Sequence, residues 1–182
     1  SKLVDTGTII VDAKSGVSGA GRGFSLNSHF TEMYDNLKAY NIAGHRHTPE
    51  IEQALSELSG DEVVLSFTPH LIPMSRGILS TCYASLKQGV KPEDIDSAYQ
   101  DMYGGEFFIR LVGRGGYPAT KYTRGSNFCD IGWHIDSRTN RVIAVSAIDN
   151  LVKGAAGQAV QNLNVMFGMD EKLGLTQAPL YP

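Results

Sequence analysis

What this 182-residue sequence lacks narrows its class before any motif is read. Its two cysteines, Cys82 and Cys129, are too few for a disulfide-stapled scaffold and fit a reducing compartment. No apolar run approaches the roughly 20 residues that cross a bilayer. Runs such as Val63–Phe67 and Val142–Ile148 are only strand-sized. The N-terminus, Ser1-Lys2-Leu3-Val4-Asp5, has no apolar core of the kind a secretion signal carries. A basic excess is missing too: sixteen Lys plus Arg face nineteen Asp plus Glu, a formal net charge of -3, with no Lys/Arg stripe to neutralise phosphates. The expectation is a cytoplasmic location, no membrane span and no nucleic-acid partner. The chain also opens without Met and runs almost at once into a strand-like segment, Thr8–Asp12, which reads as an excised piece.

What is present is enough apolar residue, 42%, to bury a substantial core. After Thr8–Asp12 comes Ser15–Gly23, with four glycines in nine residues, where the backbone can approach a ligand. Asn36–Ala43 reads as a short strand. Thr48 as N-cap, Pro49 at N1 and acids in the first turn then open a helix over 48–58, whose apolar stripe is Ile51, Ala54, Leu55 and Leu58. Strand patterns follow at Val63–Pro69 and Ile78–Leu86. Lys91-Pro92-Glu93-Asp94 starts a second helix with Ile95, Ala98, Tyr99 and Met102 inward, ended by Gly104-Gly105. Further strands are expected at Phe107–Val112, Asn127–Asp136 and Arg141–Ile148, the last two joined across Ser137–Asn140. A helix rich in small residues runs from about Asp149 to Gly168. The pattern predicts an α+β domain over 1–150, a largely antiparallel mixed sheet with helices on one face, and a separate terminal segment, 151–182.

Three features could carry chemistry. Gly44-His45-Arg46-His47 places two imidazoles and a guanidinium beside a helix N-terminus, a setting for proton transfer next to an anion. The blander reading makes one histidine a helix-end hydrogen bonder and the other a surface residue. A metal reading adds His70 to the pair as a three-imidazole set, but no acid or thiol sits at helpful spacing. Ser18-Gly19-Ala20-Gly21 matches neither a Walker loop nor the full dinucleotide fingerprint, and suits a tight turn as well as a ligand contact. Arg22 and Arg76 are candidates for forked recognition of a carboxylate or phosphate. Cys82 and Cys129 lie within strand patterns and read as small core side chains.

Four blocks taken together are more specific: Asp12–Arg22 (DAKSGVSGAGR), Tyr40–Ile51 (YNIAGHRHTPEI), Phe67–Ile78 (FTPHLIPMSRGI) and Asp149–Gln161 (DNLVKGAAGQAVQ). In this order they closely resemble the N-acetyl-gamma-glutamyl-phosphate reductase family across nearly the whole chain. Aspartate-semialdehyde dehydrogenases share only parts, chiefly Ser18–Gly21 and the block from Asp149 to Ala156.

The resemblance implies a two-domain enzyme of arginine biosynthesis that reduces an acyl phosphate with NADPH to N-acetyl-glutamate 5-semialdehyde. It implies a first, dinucleotide-binding domain and a second domain resembling the catalytic domain of glyceraldehyde-3-phosphate dehydrogenase. That second domain carries the substrate site and the subunit interface of a dimer or tetramer, and its terminal helix packs back on the first. The family's Asn-Pro-Gly-Cys nucleophile segment is absent here, so the resemblance implies that it lies upstream of Ser1 and that this chain alone is inactive. Carried over by motif, His47 or His45 is the candidate acid/base, and Arg76 and Arg46 are candidate substrate contacts. Ser18, Gly19 and Ala20 would face the nicotinamide end of NADP, Asn150 would contact its carboxamide, and no metal is implied. The alternative is a dimeric assembly or binding module without chemistry.

Overall fold

The first strand is the longest and organises the rest. The computed structural model describes residues 3–23 and 25–181, with Asn27 described by its backbone alone. Strand β1 spans Val4–Gly16 and sits inside a seven-stranded sheet of order β2-β3-β1-β4-β7-β6-β5. The other strands are β2 (Lys38–Ala39), β3 (Ser66–Ile72), β4 (Ile78–Leu86), β5 (Ile109–Arg114), β6 (Cys129–Asp136) and β7 (Arg141–Ile148), and the α-helices are the single turn α1 (Phe30–Met33), α2 (Thr48–Ser59), α3 (Pro92–Tyr103) and α4 (Gly157–Met166). β1 with β3 and β5 with β6 are parallel, while the other neighbours are antiparallel. This is the expected α+β class with a largely antiparallel mixed sheet.

Register fixes which residues share a face, because side chains alternate along each strand. Phe67, Val11, Cys82, Ala144 and Trp133 stand in one row across the sheet. On that face the core forms from Ala84, Leu86, Trp133 and Val142 against Ile95 of α3 (Pro92–Tyr103). Tyr99 of α3 stacks on Trp133 at 4.3 Å, and the Trp133 Nε1–H donates to Asp96 Oδ1 at 2.7 Å. The opposite face presents Ile10, Tyr83, Ile143 and His134 in one row, and Asp12, Thr81 and Val145 in the next. Ile10 remains 39% exposed there and its row neighbours are half-buried.

Several expectations are corrected. The predicted strand over 36–43 shrinks to Lys38–Ala39, because Asn41 and Ala43 take φ of 44° and 56° and turn the chain out of the sheet. The strand predicted at Val63–Pro69 starts three residues later, since Val63 and Leu65 are instead tied to α2 (Thr48–Ser59). There the Val63 N–H donates to Ser56 Oγ and the Leu65 N–H to Glu52 Oε1. On α2, Ile51 and Leu55 face inward, whereas Ala54 and Leu58 are exposed. Met102, expected inside α3, is 55% exposed. The α2 cap is His47 rather than Thr48, whose hydroxyl is buried without a partner among the described residues.

The terminal helix also departs from a plain α pattern. A π turn, Val152–Ala156, precedes α4 (Gly157–Met166). Close packing explains the small residues: a Cβ on Gly157 would lie 2.7 Å from Val152 Cγ1 and closer still to Asn127 Oδ1. The tail returns to the domain, where the Leu180 N–H donates to the Arg124 carbonyl at 2.8 Å and Leu175 is buried. One face of α4 with its end stays open, through Val160, Leu163, Met166 and Phe167. No helix among the described residues is long and apolar enough to cross a membrane.

Candidate functional site

The glycine-containing segment after β1 is held by the turn between β3 and β4. Gly16 N–H donates to the Gly77 carbonyl at 2.9 Å, Val17 to Met74 at 3.0 Å and Ser18 to Ser75 at 3.2 Å. Gly16 permits this approach, since a Cβ there would meet Arg76 N and the Met74 oxygen at 3.0 Å. Val17–Ala20 then forms one 3-10 turn, and Gly21 at φ 77° leads out of it. Ser18, Gly21, Arg22, Ser75 and His29 help to line a cleft of about 780 Å³.

Asn150 joins this loop to the end of β7. Its Nδ2 donates to Ser18 Oγ at 3.0 Å, and its Oδ1 accepts the Gly77 N–H at 2.7 Å. Next to it, the fully buried Asp149 carboxylate accepts backbone N–H bonds from Gly125, Leu151 and Val152 at 2.7, 2.8 and 3.1 Å. Arg76 faces the same carboxylate, with Nη2 donating to Oδ1 at 3.1 Å and Nε 3.1 Å from Oδ2. Ser18, Gly19, Asn150 and Arg76 are thus one cluster, although residues 18 and 150 are 132 positions apart. The Asp149 partnership of Arg76 was not legible in sequence, where Asp149 signalled only the start of a helix.

His45 and His47 lie in a second cluster, on the turn before α2. Their rings meet edge to face at 4.9 Å, and His45 also packs on Tyr40 and Phe67. His45 Nδ1 accepts the backbone N–H of His47 at 3.2 Å. Burial, with His47 and Arg46 adding to it, holds the His45 pKa below its usual 6.5. His47 and Arg46 are exposed. His45 packs on Phe67 near the start of β3, while Gly16, which leads into the Ser18 loop, pairs with Ile72 at the end of that strand.

His70 does not join the pair. It falls on the other face of β3 from Phe67, with Nδ1 3.1 Å from Asp12 Oδ1, and Lys14 Nζ donates to that oxygen at 2.6 Å. Among the described residues, no group of three His, Cys, Asp or Glu is arranged to hold a metal ion. Cys82 and Cys129 are partly buried free thiols, and burial pushes both pKa values up to about 11. Neither is poised as a nucleophile.

Known proteins resemble this chain closely. The N-acetyl-gamma-glutamyl-phosphate reductase of Desulforamulus reducens is 59% identical over 182 residues, covering 100% of this chain and 53% of that protein. That of Syntrophobacter fumaroxidans is 57% identical over 181 residues, covering 100% and 52%. The chain therefore spans about half the length of the curated relatives it matches. Among solved structures, aspartate semialdehyde dehydrogenase II of Vibrio cholerae superposes with a TM-score of 0.63 at 18% identity, over 87% of this chain and 54% of that one. The aspartate semialdehyde dehydrogenase of Francisella tularensis gives 0.65 at 14% identity, over 91% and 58%. Residues 1–150 match the family described as semialdehyde dehydrogenase, dimerisation domain, and the chain belongs to that family.

Proposed function

We propose that this chain is the substrate-binding and self-pairing part of an NADP-dependent reductase that converts N-acetyl-glutamyl 5-phosphate to N-acetyl-glutamate 5-semialdehyde. The observation that carries the reading is the identity of 59% with a reductase of that name, maintained over all 182 residues. The cysteine nucleophile and the dinucleotide-binding domain belong to the remainder of such an enzyme: this chain spans 53% of that relative, and burial pushes the pKa of both thiols here up to about 11. Residues 1–150 form the working domain, and the open apolar face of α4 within 151–182 docks the dinucleotide-binding domain.

Within this reading the exposed His47 ring moves the proton at the substrate's carbonyl oxygen, and His45 fixes the backbone from which it projects. Burial lowers the His45 pKa, which favours its neutral form beside His47. Arg46 is the readier anion contact, being exposed next to both rings; the Nε and Nη2 of Arg76 already face Asp149. Ser18, Gly19 and Ala20 fit the nicotinamide end of the cofactor, because their turn borders the cleft through Ser18 and both Gly19 and Ala20 are exposed beside it. The cofactor supplies hydride when bound. The half-exposed sheet face around Ile10, Tyr83, Ile143 and Val145 pairs two copies into a homo-oligomer.

The test is the reverse reaction, with N-acetyl-glutamate semialdehyde, phosphate and NADP, run on this chain and on the longer polypeptide that contains it. Turnover by the longer polypeptide alone is the expected result. Turnover by this chain alone contradicts the assignment of the nucleophile. Silence in both contradicts the reductase reading.

A further inference from the structure

We propose that Arg76 and Asp149 form a positioning pair for the Ser18–Ala20 loop, acting through Asn150, and that Arg76 does not bind the substrate anion. The inference rests on the cofactor-side role given to that loop above.

Two consecutive residues on each side make a two-rung clasp. Arg76 reaches Asp149, and Gly77 donates its N–H to Asn150 Oδ1 at 2.7 Å. Asn150 then passes the constraint on, with its Nδ2 donating to Ser18 Oγ at 3.0 Å. From the other side, the turn carrying Arg76 holds Gly16, Val17 and Ser18 by three backbone bonds. The loop is gripped between two segments, and the clasp locks those segments to each other.

The chemistry of the pair favours positioning. Asp149 is 0% exposed, so its carboxylate depends on protein partners for solvation. Three backbone N–H groups supply hydrogen bonds, and Arg76 supplies the only cation that the ion-pair geometry of the described residues gives it. Arg76 donates through Nη2 to this carboxylate while its Nε lies 3.1 Å from Oδ2 without making a hydrogen bond, so the ion pair already holds the guanidinium against a protein partner. Both side-chain ends of Asn150 are likewise engaged within the protein, so it acts on a ligand by shaping the Ser18 turn.

The two roles for Arg76 predict opposite kinetic signatures. In the full-length reductase containing this segment, Arg76→Gln is expected to raise the KM for NADP by about tenfold or more, since small misplacements near reacting groups can cost about 100-fold. The KM for phosphate should stay within about twofold and Arg76→Lys should recover part of the loss, because a lysine still offers Asp149 a cation but not the guanidinium's reach and shape. A raised phosphate KM with an unchanged NADP KM overturns the proposal. Ser18→Ala and Asn150→Ser leave the buried ion pair intact and carry the same test if Arg76→Gln does not fold; an unchanged NADP KM in both overturns it.

Amide exchange on the 182-residue chain reads the clasp without any activity. Arg76→Gln and Asn150→Ala should each speed exchange at Gly77 by about tenfold or more, with no further gain when combined, as coupled residues require. Unchanged Gly77 exchange in Arg76→Gln overturns the proposal. A wild-type enzyme without turnover would defeat the reductase reading while the exchange measurement still decides the clasp.

Discussion

His45 accepts the backbone N–H of His47 on its Nδ1 at 3.2 Å, so one imidazole anchors the chain from which the other projects. That bond places the proton of neutral His45 on Nε2. Burial lowers the His45 pKa first, with His47 and then Arg46 adding smaller effects. An NMR titration should therefore give His45 a midpoint below 6.5, and His47→Ala should move it upward. Because the folded value is depressed, the contribution of His45 to stability is present above about 6.5 and is lost as pH falls toward the folded midpoint. A midpoint at or above 6.5 would contradict the packing of His45 against Tyr40 and Phe67.

The kinetic counterpart separates the two rings. In the full-length reductase, His47→Ala is expected to lower kcat by about 10²–10⁴-fold, the usual worth of a positioned acid or base. His45→Ala should cost less and be partly restored in His45→Asn, whose side-chain oxygen can still accept the His47 N–H. Near-normal turnover in both alanine variants would sink the acid/base assignment.

Local chemistry made much of this fold legible. Pro92 at the start of α3, with the Asp94 carboxylate accepting the Lys91 N–H at 2.8 Å, is a helix start that can be read residue by residue. The turn at 137–140 and the strand Arg141–Ile148 likewise follow from turn residues and β-branched runs. The misses arise where distant partners decide. β1 extends from Val4 because Val4 and Asp5 pair with Leu86 and Ser85 beyond an irregularity, and nothing in the first ten residues announces β4. The Ser18 loop and the histidine pair were visible as motifs, but the β3 residues beside which each sits were not. Nor was the Arg76–Asp149 pair, since periodicity carries no information about residues 73 positions apart.

The thiols offer a simple check. With both pKa values pushed up to about 11 by burial, Cys82 and Cys129 should resist a disulfide reagent at about pH 8 in the native chain and react at once in denaturant. Rapid labelling of either in the folded protein would contradict the strand settings assigned to them.

Two glycines make a matched pair for stability. Gly157→Ala forces a Cβ to 2.7 Å from Val152 Cγ1 and 2.8 Å from its carbonyl oxygen, as well as onto Asn127 Oδ1. Denaturant unfolding should show a loss of about 1–3 kcal/mol, the usual cost of overpacking. Gly105→Ala meets nothing within 4 Å and is not among the positive-φ glycines, so it should be neutral or slightly stabilising. Equal effects at the two positions would refute the tight π-turn packing.

The contact between α3 and the sheet should be the energetic centre of the domain. Trp133 is 4% exposed, stacks on Tyr99 at an interplanar angle of 14° and donates to Asp96. Trp133→Ala removes all three contributions and should cost about 3–5 kcal/mol. Trp133→Phe keeps a ring for Tyr99 but loses the donor, while Asp96 still has Arg114 Nη2 at 3.3 Å. Its cost should therefore be smaller, about 1–2 kcal/mol, as for one hydrogen bond and some lost volume. A cycle combining Trp133→Phe with Asp96→Ala tests the partition, since each single change removes the indole–carboxylate hydrogen bond and the coupling energy then reports its share. If Trp133→Phe proves as damaging as Trp133→Ala, the stack contributes little and the hydrogen bond to α3 dominates the contact.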